Sequence, residues 1–204
     1  MQADANPAGE KVLSTKSFRI IKPEIRVIGI DDGPFTPHRG YAPVVGVVFR
    51  GGYWLDGVLS TRVKVDGFDA TERIAEMIVG SPHHGQVRVV MLDGVTFGGF
   101  NVVDIIRLHD LTGLPVIVVT RDKPDFRMIR AALKNLPKSG ERWKAVQNAG
   151  PVFDVQTRGK RVYVEAYGVR STDACRIVQL TSTRSGIPEA LRVAHLIASG
   201  VTQA

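Results

Sequence analysis

The chain has 204 residues, 44% hydrophobic and 23% charged, which suits one globular domain with a real core and excludes long disorder or collagen-like repeats. Lys and Arg number 27 against 20 Asp and Glu, and the resulting formal charge of +7 favours polyanionic partners, nucleic acid first. No apolar run nears the roughly 20 residues that cross a bilayer, the N-terminal stretch lacks a signal-peptide layout, and the single cysteine, Cys175, cannot form an internal disulfide, so the expected setting is the cytoplasm without membrane contact.

Residues 1–14 are polar and aperiodic, and a disordered tail is expected there, followed by a single domain over 15–204. Arg26 to Asp31 is a short apolar run halted by Asp32-Gly33-Pro34 and reads as a buried strand. Ala42–Phe49 is a second strand, Gly51-Gly52 a tight turn, and Tyr53–Val65 a third strand, together an antiparallel meander. The period then lengthens. Ile74, Ile78 and Val79 predict a helix over 69–79, with Asp69 and Glu72 at capping-box spacing. Val87–Leu92 is a fourth strand. A helix is expected over Asn101–Leu111, with Asn101 as cap and Gly113 just past its end. Pro115–Thr120 is a fifth strand.

Residues 122–150 read as broken helix, punctuated by Pro124, Pro137 and Gly140. Val152–Val155 and Val162–Tyr167 are candidates for two more strands. Helices follow over Ser171–Leu180 and Ile187–Ala198, the latter with Pro188 in its first turn. The order β-β-β-α-β-α-β before a mostly helical remainder is that of an α/β, ribonuclease H-like fold, a mixed five-stranded sheet with helices on both faces. By itself this order names no function.

The topology brings acids together. With strand 1 pointing up, Asp31 ends it at the upper edge. The helix after strand 3 starts at that edge with Asp69 and Glu72, and Asp93 ends strand 4 there. Clustered carboxylates repel unless a cation sits among them, and hard oxygen ligands suit Mg²⁺ or Mn²⁺. Each acid alone also has a local explanation: Asp31 and Asp93 beside turn residues, Glu72 as a capping residue. On the last helix Leu191, Ala194, His195 and Ala198 share a face expected to be buried. His195 is then either a hydrogen-bonded core residue or a group turned to the acidic edge, able to handle a proton. His83-His84 falls at the opposite edge, and Cys175 among Ala174, Ile177 and Val178 reads as packing.

Three segments carry a resemblance: Ile28-Gly29-Ile30-Asp31-Asp32-Gly33-Pro34-Phe35, Phe49-Arg50-Gly51-Gly52-Tyr53-Trp54-Leu55-Asp56-Gly57-Val58-Leu59-Ser60-Thr61, and Met91-Leu92-Asp93-Gly94-Val95-Thr96-Phe97-Gly98-Gly99-Phe100-Asn101. They resemble the archaeal domain-of-unknown-function family numbered ninety-nine, over nearly the whole chain from about residue 15. That family in turn resembles endonuclease V, a metal-dependent nuclease of ribonuclease H-like fold that acts beside deaminated bases, notably inosine. The likeness matches the first-strand aspartate to Asp31, the helix glutamate to Glu72 with Asp69 as the competing register, and the Val-Asp-Gly after strand 4 to Leu92-Asp93-Gly94. It matches a strand-end lysine to Arg121, and a C-terminal Arg-Leu-Ala-His to Arg192-Val193-Ala194-His195. It implies that Asp31, Glu72 (or Asp69) and Asp93 hold metal, that these acids and His195 form the catalytic set, and that Arg121 holds a phosphate of the substrate. Gly94 and Arg184 are expected to contact substrate as well. The Tyr-Ile-Pro-Gly wedge of endonuclease V is absent near Val63-Lys64-Val65-Asp66, and Phe97-Gly98-Gly99-Phe100 replaces its His-Pro-Arg segment, so the base-recognition loops are altered.

The reading that follows is a Mg²⁺- or Mn²⁺-dependent nuclease acting on RNA or DNA that is single-stranded or locally opened. The alternatives are a non-catalytic module binding nucleic acid or a protein partner, and a metal-dependent hydrolase of a small phosphorylated metabolite.

Overall fold

A computed structural model describes residues 18–201; the expected tail at 1–14 lies outside them. The chain opens with the meander β1 (Arg26–Asp32), β2 (Tyr41–Arg50) and β3 (Trp54–Lys64), then α1 (Ala70–Val79) and β4 (Val89–Asp93). A small ribbon of β5 (Thr96–Phe97) and β6 (Asn101–Val102) precedes α2 (Ile105–Thr112), β7 (Val116–Thr120), α3 (Phe126–Leu133) and α4 (Ser139–Asn148). The last elements are β8 (Phe153–Gln156), β9 (Arg161–Tyr167), α5 (Ser171–Thr181) and α6 (Glu189–Val201). None of the described helices is long and apolar enough to cross a membrane.

The main sheet runs β3-β2-β1-β4-β7-β9-β8 and has seven strands, where five were expected. The two added strands pair antiparallel beyond β7, so the sheet continues past the parallel β1, β4 and β7. Central β1, β4 and β7 are buried on both faces, which is why they read as unbroken apolar runs; edge strand β3 is largely exposed. Val27, Val47, Met91, Val119 and Val164 look toward α5 and α6. Ile28, Ile30, Val48, Leu92 and Val118 look toward α1 and α2.

Gly29 lets α6 lie close on β1. A Cβ there would meet the Ala190–Leu191 backbone, 2.5 Å from the Leu191 nitrogen. No residue with a side chain fits between strand and helix at this point.

Two helix starts differ from expectation. Asn101 does not cap α2. Asp104 does, its carboxylate accepting from the N–H groups of Ile106 (3.0 Å) and Arg107 (3.2 Å), while Gly113 ends the helix in the left-handed region as foreseen. Asn101 is fully buried in β6 instead. Its Oδ1 accepts from Ala70 N–H at the start of α1, and its Nδ2 donates to the Lys64 carbonyl and the Asp69 carboxylate. That leaves the expected capping box unformed: Asp69 accepts from Lys64 N–H rather than from its own helix. A long-range amide has taken over a local cap.

Arg142 on α4 is 2% exposed, and its guanidinium donates to the carbonyls of Asp66, Gly67, Phe100 and Pro137. It stacks on Phe68 with its guanidinium carbon 3.9 Å from the ring centroid. One buried side chain thus ties the turn before α1, the β5–β6 ribbon and the segment leading into α4 together.

Candidate metal centre

β1 and β4 are adjacent and parallel, and Ile30 pairs with Leu92. The next residues, Asp31 and Asp93, therefore emerge side by side at the carboxyl ends of their strands. Both sit in the alternation of Gly29 and Met91, so they point to the α6 face. From α6, His195 brings Nδ1 to 2.8 Å from Asp31 Oδ2. Asp31, Asp93 and His195 each offer a ligand atom, and these atoms all lie within 4.8 Å of one another. Leu191, Ala194 and Ala198 are buried as expected, whereas His195 sits at the helix margin with its side chain half exposed.

Asp31 is 6% exposed, and its carboxyl is pushed up to about 6. Burial is the main cause and the Asp93 charge adds to it, against the stabilising bond from His195. Asp93 is raised by burial, opposed by Arg121, whose Nη2 lies 3.5 Å away, and by His195. Asp32 is also raised by burial, held back by the Gly98 N–H that its Oδ2 accepts at 2.7 Å. Three neighbouring acids thus all hold their protons more tightly than free aspartate does, burial being the first cause in each and acid–acid repulsion adding to it at Asp31 and Asp32.

The two helix acids do not join this group. Glu72 Oε1 lies 2.6 Å from Arg107 Nε, and Asp69 serves Lys64 and Asn101. The reason is the side of the sheet: α1 packs on the face of Ile28 and Ile30, whereas Asp31 and Asp93 point to the opposite face, under α6. Among the described residues the cluster therefore holds Asp31, Asp93 and His195, and Glu72 and Asp69, expected beside them, engage Arg107, Lys64 and Asn101 instead. Arg121 reaches Asp93 as described, and Gly94 follows it with a positive φ of 80° and open space where a Cβ would be. Arg184 is exposed, and its backbone N–H donates to Glu189 Oε1.

Residues that the sequence did not single out complete the surroundings. Asp32 looked like turn chemistry, yet it anchors the β5–β6 ribbon beside the acids. Beside Arg121 lies a cavity of about 360 Å³ that Lys160, Arg161 and Arg192 also line. On the other face, Glu165 of β9 is buried in a second cavity; an acid amid the apolar alternation of Val162, Val164 and Ala166 was its only signal.

Two carboxylates and an imidazole within reach of one point form a donor set that fits Mn²⁺ or Mg²⁺, and burial of the acids gives a cation something to neutralise.

The family model described as Endonuclease dU matches residues 23–202. A UPF0215 protein of Methanothermobacter thermautotrophicus is 55% identical over 192 residues, covering 93% of this chain and 94% of that protein. A crystal structure of a protein of unknown function from Archaeoglobus fulgidus superposes with a TM-score of 0.78 at 36% identity, over 87% of this chain and 98% of that one. Ciona intestinalis endonuclease V, in complex with a 24mer DNA containing an inosine, superposes with a TM-score of 0.56 at 18% identity, over 88% of this chain and 86% of that one, a likeness of fold.

Proposed function

The chain belongs to the endonuclease dU family, and from that premise we propose that it is a divalent-metal-dependent nuclease that cleaves a phosphodiester bond near a deaminated base, deoxyuridine first. The observation that carries this reading is the meeting of Asp31, Asp93 and His195 at the carboxyl edge of parallel strands, with a cationic cavity alongside. Asp31 and Asp93, with His195, would hold Mn²⁺ or Mg²⁺. Such an ion supplies Lewis-acid stabilisation of phosphate charge and a more acidic water.

The chain's own residues supply the rest. Arg121 lies between Asp93 and the cavity lined by Lys160, Arg161 and Arg192, so it grips a phosphate of the strand; as an arginine it stays charged and does not act as a base. Toward an ionised Asp31, the His195 Nδ1–H donates. This fixes the tautomer and leaves Nε2 free to ligate the ion or to take a proton from the attacking water.

The test is cleavage of single- and double-stranded DNA and RNA, with and without deoxyuridine or inosine, in Mn²⁺ and in Mg²⁺, by the wild type and Asp31→Asn. Metal-dependent cutting lost in the variant supports the reading. Salt-sensitive binding with no cutting under any metal replaces it with a non-catalytic binding module.

A further inference from the structure

The cationic cavity beside Arg121 differs from an open basic groove. Two segments close on each other along it: the turn between β8 and β9, which carries Lys160, and the link between α5 and α6, which carries Gly186. Thr157 Oγ1 donates to the Gly186 carbonyl at 2.7 Å. A Cβ on Gly186 would come within 2.7 Å of Lys160 Cβ, so the Lys160 stem lies against the backbone of that link. The cavity is walled where the two segments meet. Its volume of about 360 Å³ takes a phosphate with the sugar that carries it, not a strand that runs on.

Four cations, Arg121, Lys160, Arg161 and Arg192, line this space, and no acidic side chain among the described residues does. Acids behind the walls orient three of them. Glu189 is 1% exposed. Its Oε2 accepts from Arg192 Nε (2.9 Å) and Nη2 (2.7 Å), and its Oε1 accepts from Arg184 N–H. This grip uses one edge of the guanidinium and leaves Nη1 without a partner among the described residues. Asp154 stands 3.6 Å from Arg161 Nε, and Asp93 stands 3.5 Å from Arg121 Nη2. Lys160 makes no ion pair among the described residues. Burying Glu189 costs hydration, and the result is a fixed guanidinium with donors to spare.

We infer that this cavity holds the phosphate monoester at the end of a nucleic-acid strand, so that strands ending in phosphate bind in preference to strands ending in hydroxyl. The inference rests on the reading above that nucleic acid is the partner, and it names the kind of strand end that the cationic cavity takes. A phosphodiester inside a strand carries a single negative charge. A terminal monoester carries about 1.5 to 2 at pH 7 and presents three acceptor oxygens. An arginine fork matches two such oxygens at once, and a lysine adds a point charge at the third. Arg121 borders both the cavity and Asp93, so the strand end lies beside the metal centre.

The test reads binding alone, in EDTA, where nothing is cut. A short single strand with an internal fluorescent label is prepared with a 5′-phosphate, with a 3′-phosphate, and with hydroxyl at both ends, and the full chain is titrated by anisotropy. One phosphate-ended strand should bind about fivefold tighter or more than the hydroxyl-ended one, and the tighter arm identifies the end that is taken. In Lys160→Ala the ratio should fall to within about twofold, because the one cation without an ion-pair partner is gone. Lys22→Ala, before β1 at the opposite edge of the sheet, should keep the wild-type ratio. Lys160 is exposed, so the fold of its variant is not at stake, and a thermal melt reports on this directly. Equal wild-type affinity for phosphate- and hydroxyl-ended strands, or a preference that survives Lys160→Ala, would overturn the proposal. So would a nucleoside monophosphate that binds as tightly as the phosphate-ended strand, since the cavity would then serve a free metabolite. A phosphate-end preference without cleavage in Mn²⁺ or Mg²⁺ would sink only the nuclease reading, and cleavage without the preference only this one.

Discussion

His195 Nδ1 and Asp31 Oδ2 lie 2.8 Å apart although 164 positions separate them in the chain. The contact joins the last helix to the first strand and sets the histidine beside Asp93. A carboxylate that orients an imidazole and shares an ion with it is coupled to both metal affinity and proton transfer.

Asp31→Asn and Asp93→Asn are each expected to lower metal-dependent cleavage by about 10³-fold or more, because each removes an anionic ligand. Circular dichroism should show an intact fold, and calorimetric titration with Mn²⁺ should show binding lost or greatly weakened. Full Mn²⁺ affinity in both variants would remove these residues from the centre.

The metal-free protein should lose stability as pH rises. The folded Asp31 carboxyl is raised to about 6 from its ordinary 3.8, so the folded state binds the proton more tightly than the unfolded chain does. The stabilising contribution is whole below the unfolded value and is lost progressively as pH climbs through about 6. It amounts to about 3 kcal/mol at most. Thermal melts between pH 4 and 7 should show this slope in EDTA, a flatter profile in Asp31→Asn, and recovery at pH 7 on adding Mn²⁺. A wild-type profile in EDTA no steeper than that of Asp31→Asn would count against the burial argument.

Lys160→Ala and Arg121→Ala should weaken nucleic-acid binding roughly equally for all sequences, and each should flatten the dependence of log affinity on log salt by about one unit. Both residues line the cationic cavity, and Lys160 makes no ion pair among the described residues. Anisotropy titrations across a salt series, with Ca²⁺ in place of Mn²⁺, provide the measurement. Unchanged slopes would place the strand elsewhere.

Gly29→Ala should cost stability by about 1–3 kcal/mol and also weaken Mn²⁺ binding. A methyl at this site meets helix backbone rather than a movable side chain, so α6 must shift, and His195 moves with it. Denaturant melts and Mn²⁺ titration together check this. Destabilisation with undisturbed metal affinity would show that α6 adjusts without moving its histidine.

Much of the site was legible from local pattern plus one topological rule. Asp31 and Asp93 end apolar runs, and runs buried on both faces belong to central parallel strands whose ends share an edge. His195 was legible as a polar residue on an apolar helix face. Glu72 was placed with Asp31 and Asp93 because its helix starts at the same sheet edge, but an edge has two faces, and α1 packs on the one opposite α6. Asn101 misled for another reason: a cap-forming residue type near a helix start, it is drawn into the core to serve a different helix. Arg142 and Glu165 offered almost no signal, since what distinguishes them is burial.

Strand order, strand ends and helix periodicity are written in the chain because they depend on residues a few positions apart. Which acids meet, how far their protons are held, and whether a carboxyl is left without a partner depend on groups brought together from distant segments. Those facts belong to packing alone, since Coulomb repulsion and lost hydration act over ångströms in space and are blind to sequence distance.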